Sequence, residues 1–338
     1  MKIVPVVFCL ICLLLSIQAQ PTLEVVLDST QVKNPFGVAF DKKGNTYIAE
    51  YGGGRILLLK TNGKLLPFSG NGEKGFAGDG KMAKEAVYNG MHNLVRTSGG
   101  DIYISDTRNN LIRKIDGKTN LVSTIAGVPG KKGFAGDGGP AVKAQLADPI
   151  SISLSPDEKT LLIADIHNKR IRGIDLVTGI IKTLAGNGKR GKPKEGGQTT
   201  GQPLTDPRAS VMDAKDNIYI LERGGNALRV VHPDGRIFTL AGSGKKGTRD
   251  GPAMQARFSG PKHLCLDRQG NIIIADDNNH LIRLYNPKTG TVSTLLGGEA
   301  EPQARLNRPH GVAVAPDGAL WICDSWNNRV LMLKGYQE

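Results

Sequence analysis

The feature that most constrains this chain is a line of 16 residues that occurs six times. Each copy is an apolar run that ends in an acidic residue, then a polar turn, then a second apolar run. The copies are NTYIAEYGGGRILLLK, DIYISDTRNNLIRKID, TLLIADIHNKRIRGID, NIYILERGGNALRVVH, NIIIADDNNHLIRLYN and ALWICDSWNNRVLMLK. Their acids are Glu50, Asp106, Asp165, Glu222, Asp276 and Asp324, 48 to 59 residues apart. A period of this size indicates an array of similar structural units.

Each copy sits inside a set of four short strands. A strand and a turn precede it, as in PFGVAFDKKGN, and a fourth strand follows each of the first five copies, as in VSTIAG at 122–127. Asp-Lys-Lys-Gly and Pro-Asp-Gly mark tight turns, and no long helical period is present. We therefore predict an all-β fold, a six-bladed β-propeller of four-stranded antiparallel blades. The blade cores are expected near 34–70, 91–127, 149–186, 207–242, 261–297 and 309–334.

The last copy ends at Lys334 without a fourth strand, whereas an unassigned strand, residues 22–28, begins the expected mature chain. We predict that this N-terminal strand completes the sixth blade and closes the ring, because closure removes an exposed sheet edge.

Residues 1–19 are predicted to be a signal peptide and residues 20–338 the propeller. A basic start, an apolar core and a small residue at the expected cut are typical of secretory signals. The apolar run is short for a spanning helix. We expect a secreted, extracytoplasmic protein without a membrane span after signal removal.

The formal charge of +13 favours anionic partners. Export argues against intracellular nucleic acid, which leaves an anionic polysaccharide, another extracellular anionic ligand or a protein partner. Only Cys265 and Cys323 remain after signal removal. They are interpreted as small buried residues, and whether they form a disulfide stays open.

The tripeptide Asn279-His280-Leu281 and its equivalents, NNLIR at 109–113 and NNRV at 327–330, resemble NHL repeats. The segment GFAGDGGPAVKAQLADP at 133–149 resembles a connector of secreted bacterial NHL proteins. The resemblance covers about residues 34–334. It implies the propeller fold and says little about function, because propellers serve both as enzymes and as binding scaffolds.

The hexapeptide GFAGDG occurs at 75–80 and at 133–138, and diverged copies follow at 188–197 and 244–251. All four lie between blades, so we interpret them as an architectural connector. One helical turn beginning at Pro140 is expected to pack on the propeller. Calcium binding by Asp79 and Asp137 is the alternative, although one acid per loop offers few oxygen ligands.

The acid of each line is followed by an arginine, seven residues later in four blades and five later in the other two. The arginines are Arg113, Arg172, Arg229, Arg283, Arg55 and Arg329. Arginine binds carboxylate in a bidentate fork. We therefore predict a structural girdle of ion pairs between blades rather than a ring of catalytic carboxylates.

The candidate site is the residue after the proline that opens each first strand, a proline that Met91 replaces in blade 2. The six residues are Phe36, His92, Ile150, Arg208, Lys262 and His310. If the first strands are innermost, these residues surround one mouth of the channel, and four of the six are cationic or titratable. We predict ligand contacts from His92, Arg208, Lys262 and His310, with Arg223 as a further candidate.

Connector lysines are predicted to add long-range attraction for an anion, namely Lys132, Lys189 and Lys246. The leading hypothesis is therefore a recognition scaffold for an anionic ligand or partner, and catalysis is not favoured.

The repeat also resembles peptidyl-alpha-hydroxyglycine alpha-amidating lyase propellers, which hold zinc with three histidines from alternate blades. His92 and His310 match two of these positions, whereas Arg208 stands at the third. The resemblance implies an alternative, a lyase or hydrolase with a metal or a histidine pair at the mouth. Two ligands beside a permanent cation make a poor zinc site.

Lactonase-type propellers, which use calcium, are a second family for comparison. A third hypothesis for function is that the chain is a subunit of a larger exported assembly. The residues commit to no cofactor.

Overall fold

Six antiparallel sheets form a closed ring. A computed structural model describes residues 21–298 and 304–336, so the predicted signal peptide lies outside the described residues. The first strands of successive blades contact one another around the ring, and that of blade 1 contacts that of blade 6. These strands therefore line the central channel. The predicted six-bladed β-propeller is confirmed.

The blades follow one another along the chain. Blade 1 comprises Pro35–Phe40, Thr46–Glu50, Arg55–Leu59 and Leu65–Ser69. Blade 2 comprises Met91–Arg96, Ile102–Asp106, Leu111–Ile115 and Val122–Ala126. Blade 3 comprises Pro149–Leu154, Thr160–Asp165, Arg170–Asp175 and Ile181–Ala185. Blade 4 comprises Pro207–Met212, Ile218–Glu222, Ala227–Val231 and Arg236–Ala241. Blade 5 comprises His263–Leu266, Ile272–Asp276, Leu281–Asn286 and Thr291–Gly297.

Blade 6 is built from both ends of the propeller. Its first three strands are Val312–Val314, Leu320–Asp324 and Arg329–Lys334. The fourth is Thr22–Leu27, which pairs antiparallel with the third strand and places Thr22 opposite Lys334. The predicted closure by the N-terminal strand is confirmed.

All four predicted strands are present in each blade, and blades 4 and 5 each have a fifth. The fifth strands are Gly197–Gln198 and Gly251–Pro252, and each pairs with the outermost strand of the blade that follows its connector. Equivalent single bridges join Met82 to Leu121 and Pro140 to Ile180 in blades 2 and 3. The connectors thus cover the outer edge of the following blade, where an unpaired strand would otherwise face water.

The hydrophobic core is divided among the six interfaces between neighbouring blades. One cluster joins blades 1 and 2 through Ile56, Tyr88 and Ile104, and the five others are arranged in the same way around the ring. Every blade therefore needs both neighbours to bury its two faces. Cys265 and Cys323 are free thiols in blades 5 and 6, and burial raises the pKa of both.

The predicted acid–arginine pairs form in all six blades. The closest N–O distances are 2.9 Å for Glu50–Arg55, 3.5 Å for Asp106–Arg113, 3.7 Å for Asp165–Arg172, 2.7 Å for Glu222–Arg229, 3.1 Å for Asp276–Arg283 and 2.6 Å for Asp324–Arg329. All six carboxylates are buried. The pairs lie within blades, not between them as predicted, because the second and third strands that carry them are hydrogen-bonded neighbours.

The residue three positions after each buried acid depends on the length of that acid. In the four blades with Asp, the amide of an Asn three residues later donates to it, as Asn168 does to Asp165 at 2.7 Å. In the two blades with Glu, this position is glycine. A Cβ at Gly53 would lie 2.4 Å from Glu50 Oε2, and one at Gly225 would lie 2.6 Å from Glu222 Oε2. The longer acid therefore requires the residue without a side chain.

The aspartate of each GFAGDG connector binds the arginine of the blade that follows. Arg113 donates to Asp79 through Nε and Nη2, at 3.1 and 2.7 Å, and Arg172 binds Asp137 in the same way, at 3.1 and 2.6 Å. Phe134 stacks on Arg172, with the guanidinium carbon 5.1 Å from the ring centre. The architectural interpretation of the repeated hexapeptide accounts for these contacts. The predicted helical turn is a 3₁₀ turn, Ala141–Lys143, which begins one residue after Pro140.

Three further connectors contain 3₁₀ turns, Ala83–Glu85, Thr199–Gly201 and Ala253–Gln255. The turns after the second strands of blades 2, 5 and 6 contain Thr107–Asn109, Asp277–Asn279 and Ser325–Asn327. Within the described ranges no helix is long and apolar enough to span a membrane.

Removing a connector carboxylate should destabilise the ring. Asp137→Ala leaves the buried Arg172 guanidinium without two of its charged hydrogen bonds, so we expect the free energy of unfolding to fall by about 1–3 kcal/mol. Glu24→Ala removes an exposed ion pair with Lys334 and should change it by less than about 0.5 kcal/mol. Urea denaturation measures both. Equal effects of the two substitutions would contradict the structural role of the connector.

Candidate functional site

The buried carboxylates position the site. Each accepts a hydrogen bond, at 2.5–2.7 Å, from the backbone N–H two residues before the position that opens the first strand. The next residue has a positive φ of 45–67° in every blade, and it is Asn34, Gly90, Asp148, Asp206, Gly260 or Arg308. A proline follows in five blades, and Met91 takes its place in blade 2. This turn, which has the same form in every blade, directs the backbone toward the channel and places the candidate residue at the channel mouth.

All six candidate residues are buried around the channel mouth. On one side an aromatic cluster forms, in which Phe36 stacks on His310 with ring centres 4.0 Å apart. Tyr51, the residue after the buried acid of blade 1, also stacks on Phe36, with ring centres 4.6 Å apart. The rings of His92 and His310 are 5.5 Å apart. Ile150, Arg208 and Lys262 complete the circle.

His92 presents one free nitrogen. Its Nδ1 lies 3.1 Å from the Gly90 carbonyl oxygen and 3.0 Å from Thr107 Oγ1. Because a carbonyl only accepts, Nδ1 carries the proton, and Nε2 is left as an acceptor. Thr107 in turn donates to the Pro149 carbonyl at 2.6 Å. Burial, and then the charge of Arg208, hold the pKa of His92 well below its usual value, so the ring is neutral at pH 7.

His310 is 2 % exposed, and neither of its ring nitrogens has a hydrogen-bond partner among the described residues. Burial, and then the charge of Lys262, hold its pKa well below the usual value. The neutral ring is kept in place by stacking on Phe36. The mouth therefore contains two uncharged histidines beside fixed positive charge.

The two cations of the ring differ in their partners. Lys262 lies 3.0 Å from Asp277 Oδ1, and burial lowers its pKa to about 8. Arg308 donates to Oδ2 of the same carboxylate, at 2.7 and 3.1 Å. Lys262 is thus part of a buried ion-pair network that was not predicted.

Arg208, in contrast, makes no hydrogen bond or ion pair with any residue of the described ranges, and its Nε is buried without a partner. It is 8 % exposed, and burial lowers its pKa to about 10, so it remains charged at pH 7. Asp206 lies nearby and pairs instead with Arg223, at 3.4 Å. An unpaired buried guanidinium is costly, and it is the strongest sign of a ligand site in the molecule.

Arg208 lines a cavity of about 680 Å³ that opens at the mouth. Blades 2 to 5 and two connectors form its wall. Six cationic side chains line it, Arg108, Lys169, Arg190, Arg208, Arg223 and Lys246, against two carboxylates, Asp148 and Asp206. Ile150 and Ile166 supply an apolar surface. The volume lies within the range of about 300–1,000 Å³ that is typical of small-molecule sites.

A side-chain contact crosses the channel below this cavity. Asn93 of blade 2 and His263 of blade 5, on opposite sides of the ring, are joined side chain to side chain at 2.9 Å. This contact obstructs the channel, and the cavity opens at the mouth.

The structure brings together most of the predicted site residues. His92, Arg208, Arg223 and Lys246 line the cavity. Lys262 and His310 lie in the adjacent ring, and Lys132 reaches the rim by binding Asp148 at 2.5 Å. Lys189 is exposed and does not line the cavity, whereas its neighbour Arg190 does. Ligand binding by these residues stays a prediction.

No described residues group three or more His, Cys, Asp or Glu side chains in a way suited to a metal ion. His92 and His310 are close, but the third position of the implied zinc site holds the Arg208 cation, so the residues do not fit zinc. The carboxylates of Asp79 and Asp137 are engaged by arginines, which leaves the calcium hypothesis without support.

The sequence analysis did not predict a second set of six residues at the mouth, those that directly follow the buried acids. Tyr51, Thr107, Ile166, Arg223, Asp277 and Ser325 occupy the position directly after each buried acid. Only Arg223 was predicted. An alignment of the six lines at this column shows six different residues, and such variability within a regular repeat was the available signal.

The comparisons with known proteins agree with the fold. A family model described as NHL repeat matches residues 306–331. NHL repeat-containing protein 2 of Gallus gallus is 27% identical over 343 residues, which cover 88% of this chain and 46% of that protein. The chain thus spans less than half the length of this curated relative. The chain carries an NHL repeat on a six-bladed β-propeller.

Two solved structures share the fold at low identity. An auxiliary nutrient binding protein from Bacteroides thetaiotaomicron has a TM-score of 0.65 at 14% identity, covering 90% of this chain and 69% of that one. Virginiamycin B lyase from Staphylococcus aureus has a TM-score of 0.57 at 13% identity, covering 93% and 99%. Identities this low indicate the fold alone, and a binding protein and an enzyme both appear among the similar structures.

Because His92 and His310 are neutral in the folded protein, we expect their contribution to the free energy of unfolding to decrease in acid. The pKa of His92 and of His310 is depressed in the folded state, so the unfolded chain binds protons first as the pH falls below about 6.5. The free energy of unfolding should decrease by up to about 1.4 kcal/mol per pH unit for each ring. His310→Phe keeps the stack on Phe36 and should reduce this slope. Exposed His232→Phe is the control, and urea titrations between pH 4.5 and 7 give the slopes. An unchanged slope in His310→Phe would contradict a neutral buried ring.

Arg208 should lower the stability of the free protein. Arg208→Met replaces an unpaired buried charge by an apolar side chain of similar length, so we expect the free energy of unfolding to rise by about 1–3 kcal/mol without ligand. Arg236→Met, which removes an exposed pair with Asp234, should have little effect. Urea denaturation at pH 7 distinguishes them. Destabilisation by Arg208→Met would mean that Arg208 serves the fold.

Proposed function

We propose that this chain is a recognition scaffold that binds an anionic group of an extracellular ligand in the cavity at the channel mouth. One observation carries the proposal: Arg208 is buried, charged and unpaired at a cavity with an excess of cationic side chains. A bound carboxylate, sulfate or phosphate would supply the hydrogen-bond acceptors that Arg208 lacks. Charge-assisted bonds of this kind are among the strongest in proteins.

The rest of the lining supports attraction rather than chemistry. Arg108, Lys169, Arg190 and Lys246 come from different blades and connectors and share one cavity. A ring of like charge at the opening of a low-dielectric cavity concentrates anions. Secretion, proposed from the N-terminal 19 residues, would expose this mouth to acidic polymers and their fragments.

A second candidate, a histidine-dependent enzyme at the same mouth, is favoured by one observation. His92, with Nε2 free to accept a proton, lines the cavity together with Arg208, and a base beside a cation is the pair that removes a proton next to a carboxylate, although the depressed pKa of His92 makes it a weak base. If the wild-type protein converts a carboxylate substrate to a product and the His92→Phe variant does not, the enzyme is favoured over the scaffold.

Affinity for small anions tests the scaffold proposal. Sodium sulfate, phosphate and glucuronate are titrated by calorimetry at 20 mM and at 300 mM ionic strength. We expect binding at low salt that weakens at high salt, and a loss of about 10- to 150-fold in Arg208→Met, as for the removal of hydrogen bonds to a charged group. Arg236→Met should bind as the wild type does. No binding at low salt, or equal binding by Arg208→Met, would contradict the proposal.

A further inference from the structure

We propose that the ligand of this cavity is a uronic acid, bound as a single residue or as the end of an acidic sugar chain. The proposal rests on the function proposed above and names its ligand class. It follows from the whole donor and acceptor pattern of the wall, not from Arg208 alone.

The floor and rim offer acceptors as well as donors. His92 Nε2 is an acceptor because Nδ1 holds the proton. Asp148 and Asp206 also line the cavity, and a carboxylate accepts about four hydrogen bonds, more than Lys132, His167 and Arg223 use. A ligand that satisfies this wall needs one negative group for Arg208 and several hydrogen-bond donors around it.

This pattern distinguishes among anions. A sulfate dianion has no proton to donate, so it would satisfy Arg208 but leave His92 Nε2 and the remaining acceptor positions of Asp148 and Asp206 without hydrogen-bond donors. A simple carboxylate such as acetate has the same shortcoming. A uronic acid carries one carboxylate on a ring of hydroxyl groups, each of which donates one hydrogen bond. A neutral hexose has the hydroxyls but no partner for Arg208.

The apolar part of the wall fits the same ligand. Ile150 and Ile166 belong to blade 3, between the His92 and Arg208 sides of the cavity. A pyranose ring has a face of C–H groups, which can pack on such side chains while its edge makes hydrogen bonds. The cavity of about 680 Å³ has room for a sugar and for water molecules at its rim.

The Asn93–His263 contact limits how a polymer is held. Because this contact crosses the channel, we do not expect a polymer to thread through the ring. A terminal residue can reach Arg208, and the following residues would leave through the cationic opening past Arg190 and Lys246. The site therefore fits a chain end or a fragment.

A panel of four probes tests the proposal on the propeller chain, residues 20–338. Glucuronate, glucose, acetate and inorganic sulfate are titrated by calorimetry at constant low ionic strength. We expect glucuronate to bind at least tenfold more tightly than each of the other three. Arg208→Met should abolish the preference for glucuronate over glucose, whereas Arg236→Met should retain it.

The acceptor role of His92 has its own readout. His92→Phe should weaken glucuronate binding about 2- to 12-fold, the value of one neutral hydrogen bond, and leave acetate binding unchanged. His232→Phe is the control for loss of an exposed imidazole. If His92→Phe weakens acetate and glucuronate equally, the assignment of a hydroxyl to His92 is wrong. The panel with wild-type protein decides the ligand class even if this variant fails to fold.

The outcomes separate this proposal from the one above. If sulfate or acetate binds as tightly as glucuronate and is lost in Arg208→Met, the cavity is a general anion site, and the uronic acid proposal falls while the proposed function stands. If none of the anions binds, both fall. Tight binding of glucose also overturns the role of the carboxylate.

Discussion

The buried carboxylate at the end of each second strand is the interaction on which the rest of the structure depends. It binds an arginine of its own blade and accepts a hydrogen bond from the backbone N–H that leads into the first strand. One side chain thus joins three segments of a blade. In blades 2, 3 and 5 the same arginine also binds a connector aspartate, which links the blade to the one before it. Six copies of this arrangement hold a ring whose apolar core lies wholly between blades.

This frame is regular, and the mouth that it presents is not. The positions that line the mouth all follow the same positive-φ turn but carry five different side-chain types, among them Phe36, Arg208 and His310. The frame is stabilised by paired charges, whereas Arg208 is charged and unpaired. Burying such a group reduces stability, and folding alone gives no reason to retain it. A ligand that completes its hydrogen bonds supplies the reason.

The repeated line and its spacing were sufficient to predict the propeller, its six blades and its closure by the N-terminal strand. They also predicted the ion pairs, because an acid and an arginine recurred at fixed distances. The fifth strands of blades 4 and 5 were not predictable, since Gly197–Gln198 and Gly251–Pro252 have no strand pattern and pair only because the connector lies along an edge. The partners of Lys262 and Arg208 depend on side chains from other blades, so sequence placed both at the mouth but did not show that Asp277 neutralises one and leaves the other free.

A crystal structure of the protein grown with glucuronate at low ionic strength would show directly what binds Arg208. We expect a sugar in the cavity, with its carboxylate within hydrogen-bond distance of the Arg208 guanidinium and a hydroxyl on His92 Nε2. A structure in which the cavity holds only water while Arg208 remains unpaired, or in which Arg208 turns to pair with Asp206, would contradict this expectation.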